Sequence, residues 1–247
     1  MKIVSIQRLT FEPKEVADLK VENDQIVAGR VGNSLNEGDI KGFELIKHLN
    51  EPIDAISIGS LDAITLVHTF VRGAENVYEV GEQLSKENTE AHNAAIVASK
   101  INSIDGVELI VCGDVEQDTG RSLFAGLLAS KLGWDLFTNI IKVDKQDSSL
   151  VITQETEAGL QNFELMGPAI ICPDESCSEG DDPSDAYDLI EKLEKKESVK
   201  VKVDNKVDSS REKLSLEEPK GSESQAVVSL DGTAVKNVLD LIKNYSN

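Results

Sequence analysis

The stretch best suited to hold an anion runs from Cys112-Gly113 to Asp118-Thr119-Gly120-Arg121-Ser122. Val107 to Cys112 is apolar and β-branched, as in a strand buried on both faces, and Gly113 ends it. From Asp118 onward Leu123, Leu127, Leu128 and Leu132 return at helical spacing, with Asp118 or Thr119 as the expected N-cap and Gly133 as the stop. At such a strand–loop–helix junction the first helical N–H groups lack internal partners and the peptide dipoles make that end positive, which suits a phosphate. Arg121 adds a guanidinium that can pair with phosphate oxygens bidentately, a contact worth about 1.5–3 kcal/mol. Asp114, Glu116 and Asp118 oppose it. The dipole contributes only about 0.3–1 kcal/mol when exposed, so Arg121 is expected to be the decisive group and Arg8 a lesser one. The bland alternative is a cap and a turn that bind nothing. Neither G-x-G-x-x-G nor G-x-x-x-x-G-K-[ST] is present, so the stretch is neither a standard dinucleotide fingerprint nor a phosphate loop.

Other reactive residue types form no constellation. His48, His68 and His92 lack paired metal-ligand spacing, and Cys172 and Cys177 bracket a turn without further ligands. No serine, cysteine or histidine stands in a nucleophile setting. Three cysteines without a secretory signal read as reduced thiols. The net charge of -20 argues against a nucleic-acid surface. No apolar run is long enough to span a bilayer, so no membrane insertion is expected, and the location is expected to be cytoplasmic.

The elements that would position this stretch alternate strand and helix. Strands are expected at residues 2–7, 53–58, 76–80 and 107–112, a small hairpin at 19–27, and a polar loop at 33–39. Helices are expected around Ile40, Phe43, Ile46 and Leu49, at residues 61–71 and at 88–104. This order implies an α/β fold: a doubly wound, mostly parallel, Rossmann-like sheet. Its ligand crevice would lie beside the first and fourth strands, where strand order reverses. The loops at residues 7–10, 33–39, 59–60 and 113–121 converge there. Residues 136–143, 150–153, 161–166 and 169–172 read as antiparallel strands at one edge. The nucleotide-binding domain is placed at residues 1–180. A charged C-terminal extension follows at 181–247, with a helix at 187–196, an edge strand at 199–203, a linker at 204–225 and a closing helix carrying Val235, Val238, Leu239, Ile242 and Tyr245.

In their order these pieces resemble the β subunit of electron transfer flavoproteins, over roughly residues 1–173. The V-K-Q-V loop of that family is similar to Ile6-Gln7-Arg8-Leu9, N-P-x-D to Asn36-Glu37-Gly38-Asp39, S-M-G to Ser57-Ile58-Gly59, and M-G-A-D to Arg72-Gly73-Ala74-Glu75. Its C-G…D-T-G-Q segment is similar to Cys112-Gly113 and Asp118-Thr119-Gly120-Arg121, and its late P-A-x-x strand to Pro168-Ala169. Here Gln7 stands for the family lysine, Glu37 for its proline and Arg121 for its glutamine, and the loop after Gly113 is shorter.

The resemblance implies an adenine-nucleotide-binding fold whose cofactor is AMP or FAD. The cofactor-binding residues it implies are Ile6, Gln7, Arg8, Asn36, Asp39, Gly59, Cys112, Gly113, Asp118, Thr119, Gly120, Arg121 and Ser122. It also implies a working FAD shared with an α-like subunit, and a dehydrogenase or quinone oxidoreductase as redox partner. Two readings compete with an electron-transfer subunit: a stand-alone adenine-nucleotide-binding protein or enzyme, and a ligand-free scaffold.

Overall fold

The computed structural model describes residues 1–13, 19–22, 25–28, 31–80, 89–117, 120–146, 149–181 and 196–201. All fall within the first of the chain's two compact units, Met1–Leu216. Asp118, Thr119, the expected helix up to residue 195, the linker and the closing helix lie outside the described residues.

Strand β1 (Lys2–Pro13) is followed by the hairpin β2 (Leu19–Glu22) and β3 (Gln25–Ala28), then β4 (Val31–Leu35). Helix α1 (Glu37–Ile46), with a 3-10 turn at Lys47–Leu49, leads into β5 (Ile53–Ile58), and α2 (Ala63–Arg72) into β6 (Asn76–Val80). Helix α3 (Glu90–Ile101) precedes β7 (Val107–Val111), and α4 (Phe124–Leu132) precedes β8 (Asp135–Gln146). The remaining strands are β9 (Ser149–Thr156), β10 (Gly159–Leu165), β11 (Ala169–Pro173) and β12 (Val199–Val201).

The main sheet runs β10-β9-β8-β11-β7-β1-β5-β6-β12, with β4 paired to β1. Strand β1 is parallel to both β5 and β7. The β6–α3–β7 connection therefore steps back past β1, and helices are laid on both faces. Val4, Ile6, Ile56 and Ile110 pack with Ala94, Val97, Phe124 and Leu128 of α3 and α4. Ile3, Ala55, Leu109 and Val111 pack with Phe43, Ile46 and Phe70 of α1 and α2. Both faces of the central strands are apolar because both are covered. The reversal of strand order at β1/β7 is the switch point expected from the sequence.

Four expectations need correction. Strand β1 does not stop at Gln7. It continues to Pro13 because β4 offers a partner ladder, pairing Leu9 with Leu35 and Thr10 with Ser34, so residues 7–10 are strand and the polar loop at 33–39 is largely strand and helix. Secondly, α4 begins at Phe124, not at Asp118 or Thr119, and Leu123 occupies its N-cap without a side-chain cap bond. Gly120 has φ 65° and donates from its N–H to the Glu116 carbonyl at 2.7 Å, a turn that delays the helix. Thirdly, α3 ends at Ile101, where Asn102 caps it, short of residue 104. Lastly, β11 is parallel to β7 and β8, between which it lies, while β8–β9–β10 form the antiparallel edge. Residues 169–172 look like their antiparallel neighbours because a period-two or fully apolar run carries no strand direction.

The edge strand expected at 199–203 is observed as β12, parallel to β6. Among the described residues no helix is long and apolar enough to cross a membrane.

Candidate functional site

Where β1 leaves its parallel neighbours and begins to pair with β4, the side chain of Arg8, 4% exposed, is held chiefly by Asp39, 0% exposed, in the first turn of α1. The Arg8 guanidinium donates from Nε to Asp39 Oδ2 at 3.0 Å and from Nη2 to Asp39 Oδ1 at 2.9 Å. Its backbone N–H also donates to Asp39 Oδ2, at 2.8 Å. Gly113, just past β7, completes the bracket: its N–H donates to Asp39 Oδ1 at 2.6 Å and its carbonyl accepts from Arg8 Nη2 at 2.7 Å. One carboxylate thus ties the middle of β1 and the segment just past β7 to α1. Burial alone disfavours the Arg8 charge, but Asp39, by charge and hydrogen bonding, and Glu116 more than offset it, so its pKa is pushed above the ordinary arginine value.

The same junction is close-packed through glycine. A Cβ on Gly38 would stand 2.9 Å from the Gly113 Cα, and one on Gly113 would stand 2.8 Å from the Asn36 amide nitrogen. Asn36, fully buried, clamps the loop: Nδ2 donates to the Val115 carbonyl at 3.0 Å and Oδ1 accepts from Gln117 N–H at 3.1 Å. Glu116 lies between these anchors. It is 6% exposed, with Oε1 at 3.6 Å from Arg8 Nη1. Its N–H donates to the Arg121 carbonyl at 2.9 Å, which closes the loop on itself. Below the guanidinium, the Phe124 ring of α4 stands with its centroid 5.4 Å from Arg8 Cζ.

Arg121 pairs with Glu90 of α3 at 2.8 Å, and Ser122 Oγ donates to Asp114 at 2.6 Å. Gly59, at φ 95°, ends β5 with its N–H on the Val80 carbonyl at 3.0 Å. Ile6 and Cys112 are fully buried in the α3/α4 core, where Cys112 Sγ lies 4.0 Å from Cys172 Sγ. Among the expected site residues the structure therefore brings Arg8, Asn36, Asp39 and Gly113 into one cluster, with Gly120, Arg121 and Ser122 on the loop that closes it. Asp118 and Thr119 lie outside the described residues. The sequence reading did not single out Gly38, Glu90 or Phe124. Gly38 was visible inside the Asn36–Asp39 segment, whereas nothing local in the sequence marks Glu90 or Phe124, which depend on how α3 and α4 pack.

Two buried side-chain atoms here lack a hydrogen-bond partner among the described residues: Arg8 Nη1, a donor, and Gln7 Oε1, an acceptor. Gln7 Nε2 donates to Ser5 Oγ at 3.1 Å. By strand alternation Gln7 and Arg8 leave opposite faces of β1, so both faces of the switch point keep an open polar group. Buried polar groups are ordinarily satisfied, and the open donor of Arg8 fits a phosphate oxygen. A cavity of ≈ 390 Å³ lined by Trp134, Asp135, Met166 and Ala169 lies at the other end of the strands, where β8 and β11 begin, away from Arg8. Another of ≈ 470 Å³, lined by Gly38, Lys41, Asp114, Gln117, Asp174 and Glu175, is dominated by carboxylates and suits a phosphate poorly. Among the described residues no group of three or more His, Cys, Asp or Glu is placed to hold a metal ion.

A model of the electron transfer flavoprotein domain family matches residues 25–203. The electron transfer flavoprotein subunit beta of Bradyrhizobium diazoefficiens is 26% identical over 238 residues, spanning 93% of this chain and 91% of that protein. The subunit of the same name from Dictyostelium discoideum is 26% identical over 210 residues, 81% of this chain and 78% of its own length.

Proposed function

Since the chain belongs to the electron transfer flavoprotein domain family, we propose that it acts as the β-type subunit of a two-chain electron carrier and holds an adenine nucleotide, AMP or FAD, at the β1/β7 switch point. The observation that supports this most directly is Arg8 Nη1, buried and without a hydrogen bond among the described residues, beside a junction fixed by Asp39, Asn36 and Gly113. Arg8 and Arg121 would face the phosphates. A bound flavin supplies reversible one- and two-electron chemistry.

What this chain contributes is binding and orientation. Asp39 keeps Arg8 charged and aimed, Asn36 fixes the loop through Val115 and Gln117, and the Gly38–Gly113 contact lets α1 approach the sheet end closely. No acid–base residue of its own is assigned a catalytic step. An α-like chain would supply most of the FAD site, and a dehydrogenase or quinone oxidoreductase would exchange electrons with the pair.

The test is co-expression with an α-like chain, followed by visible spectroscopy and nucleotide release. Stoichiometric flavin absorbance in the two-chain complex, with the isolated chain colourless or carrying substoichiometric flavin, is the expected result. Tight FAD on the isolated chain, reduced there by a donor, would overturn the two-chain reading. Within this site Arg121→Ala should weaken AMP binding by about tenfold or more, read by calorimetry on the isolated chain.

A further inference from the structure

We propose that Asn93 is the residue through which the site reads the nucleoside: its Oδ1 accepts a hydrogen bond from a donor of the bound nucleotide, an amino group of the base or a hydroxyl of the ribose. The proposal rests on the nucleotide reading of the β1/β7 switch point and adds a contact from α3, an element to which no ligand has so far been assigned. Asn93 closes the first turn of α3, after the Thr89 cap, and its N–H donates to the Thr89 carbonyl at 2.9 Å. It is 4% exposed, yet its Oδ1 has no hydrogen bond among the described residues. An open buried acceptor costs the fold its desolvation, and asparagine is a poor residue for a helix interior. Its neighbours Ala94, Ile96 and Val97 pack in the α3/α4 core. For packing alone an apolar residue would serve better at this position.

The fold brings this acceptor to the side and the end of the sheet where Arg8 stands. Arg8 Cζ lies over the Phe124 ring of α4, and α3 and α4 pack together on that face. Glu90, three residues before Asn93 and so on the same face of α3, pairs with Arg121 at 2.8 Å. The Arg121 carbonyl in turn closes the loop whose Gly113 carbonyl accepts from Arg8 Nη2. The first turn of α3 and the loop after β7 therefore meet, with a buried open donor, Arg8 Nη1, on one side and a buried open acceptor, Asn93 Oδ1, on the other. A nucleotide carries the complementary groups, phosphate oxygens that accept and amino or hydroxyl groups that donate. Elsewhere, Gln7 Oε1 belongs to the opposite face of β1, and Glu79 Oε2 lies at the sheet edge, 3.9 Å from Lys200 Nζ.

Calorimetric titration of the full chain with AMP, IMP, 2′-deoxy-AMP and 3′-deoxy-AMP, in wild type and Asn93→Leu, tests this. In IMP a carbonyl replaces the amino group of the base, and each deoxy-AMP lacks one hydroxyl. The analogue that wild type binds about tenfold more weakly than AMP, a factor that corresponds to about 1.4 kcal/mol, identifies the donor. Asn93→Leu should lose about the same tenfold for AMP and should bind that analogue as well as wild type does. Asn93→Ala should show the same pattern and serves if leucine is too large for the site. Unchanged AMP affinity in both variants would overturn the proposal and leave the nucleotide site standing. Equal losses for all the nucleotides would overturn it as well, since a purely structural asparagine cannot tell them apart. Equal binding of all the nucleotides by wild type would do the same. No nucleotide binding by wild type would remove the nucleotide site and this proposal together.

Discussion

At the scale of single residues, Asp39 carries the largest share of local order, because four donors, three from Arg8 and one from Gly113 two residues past β7, end on its two oxygens. Asp39→Ala leaves the buried Arg8 charge without its main partner, and breaking such a pair costs about 3–5 kcal/mol. We expect that loss in urea unfolding, as a lower midpoint at unchanged slope. Asp39→Asn should fall between the two, since an amide restores hydrogen bonds without the charge. A second residue-scale prediction concerns Cys172. Its thiol pKa is pushed up by the hydrogen bond with Cys112 and by burial. Because the folded value lies above the unfolded one, at about 8.5, this stabilisation is complete below that pH and is lost as pH rises through the folded value. Wild type should therefore lose more stability between neutral and alkaline pH than Cys172→Ala does. Equal slopes in denaturant titrations would show that the thiol carries none of the pH dependence.

At the scale of elements, the approach of α1 to the sheet is set by glycine. A Cβ on Gly42 would stand 2.5 Å from Val111 Cγ1, so the helix sits against β7 at a distance only a hydrogen side chain permits. Gly42→Ala should cost about 1–3 kcal/mol by overpacking, despite the better intrinsic helix propensity of alanine. Val111→Ala should relieve part of that cost, giving a favourable coupling in a double-mutant cycle. Additive effects would mean that α1 shifts as a body to absorb the methyl group. The same closeness brings Asp39 to Arg8, so Gly42 acts on the site through the packing of its helix.

At the scale of the whole molecule, 45 acidic against 25 basic residues leave a net charge of -20. Self-repulsion of this size opposes compaction and is screened by salt, with a Debye length of about 30 Å at 0.01 M and about 8 Å at 0.15 M. Raising ionic strength over that range should raise the melting temperature, because the buried Arg8–Asp39 pair is screened far less than the surface carboxylates. A falling melting temperature would instead show that attractive surface pairs outweigh the repulsion. The same field disfavours anionic ligands at long range. Nucleotide binding then depends on short-range groups in the crevice, where Arg8 and Arg121 are each already faced by a carboxylate.

The alternation of apolar runs with helical periodicity determined the doubly wound sheet and put the first and fourth strands side by side, because burial on both faces and right-handed crossovers leave few other arrangements. The order of short segments around Gln7-Arg8, Asn36 to Asp39 and Cys112-Gly113 was also legible, although only the last two lie at a strand end or helix start, Gln7-Arg8 falling inside β1. What only the tertiary structure decided are pairings made across the chain. Strand β1 runs on to Pro13 because β4 is there to receive it, and β11 enters between β7 and β8 in parallel, a direction that no local pattern encodes. The reading of charge changed for the same reason. Arg121 is drawn to Glu90 on α3, while Arg8 becomes the buried cation, because the folding of α1 and the loop after β7 places Asp39 and Glu116 around it. Which cation meets which carboxylate depends on distances between residues far apart in sequence, and those exist only once the helices are packed on the sheet.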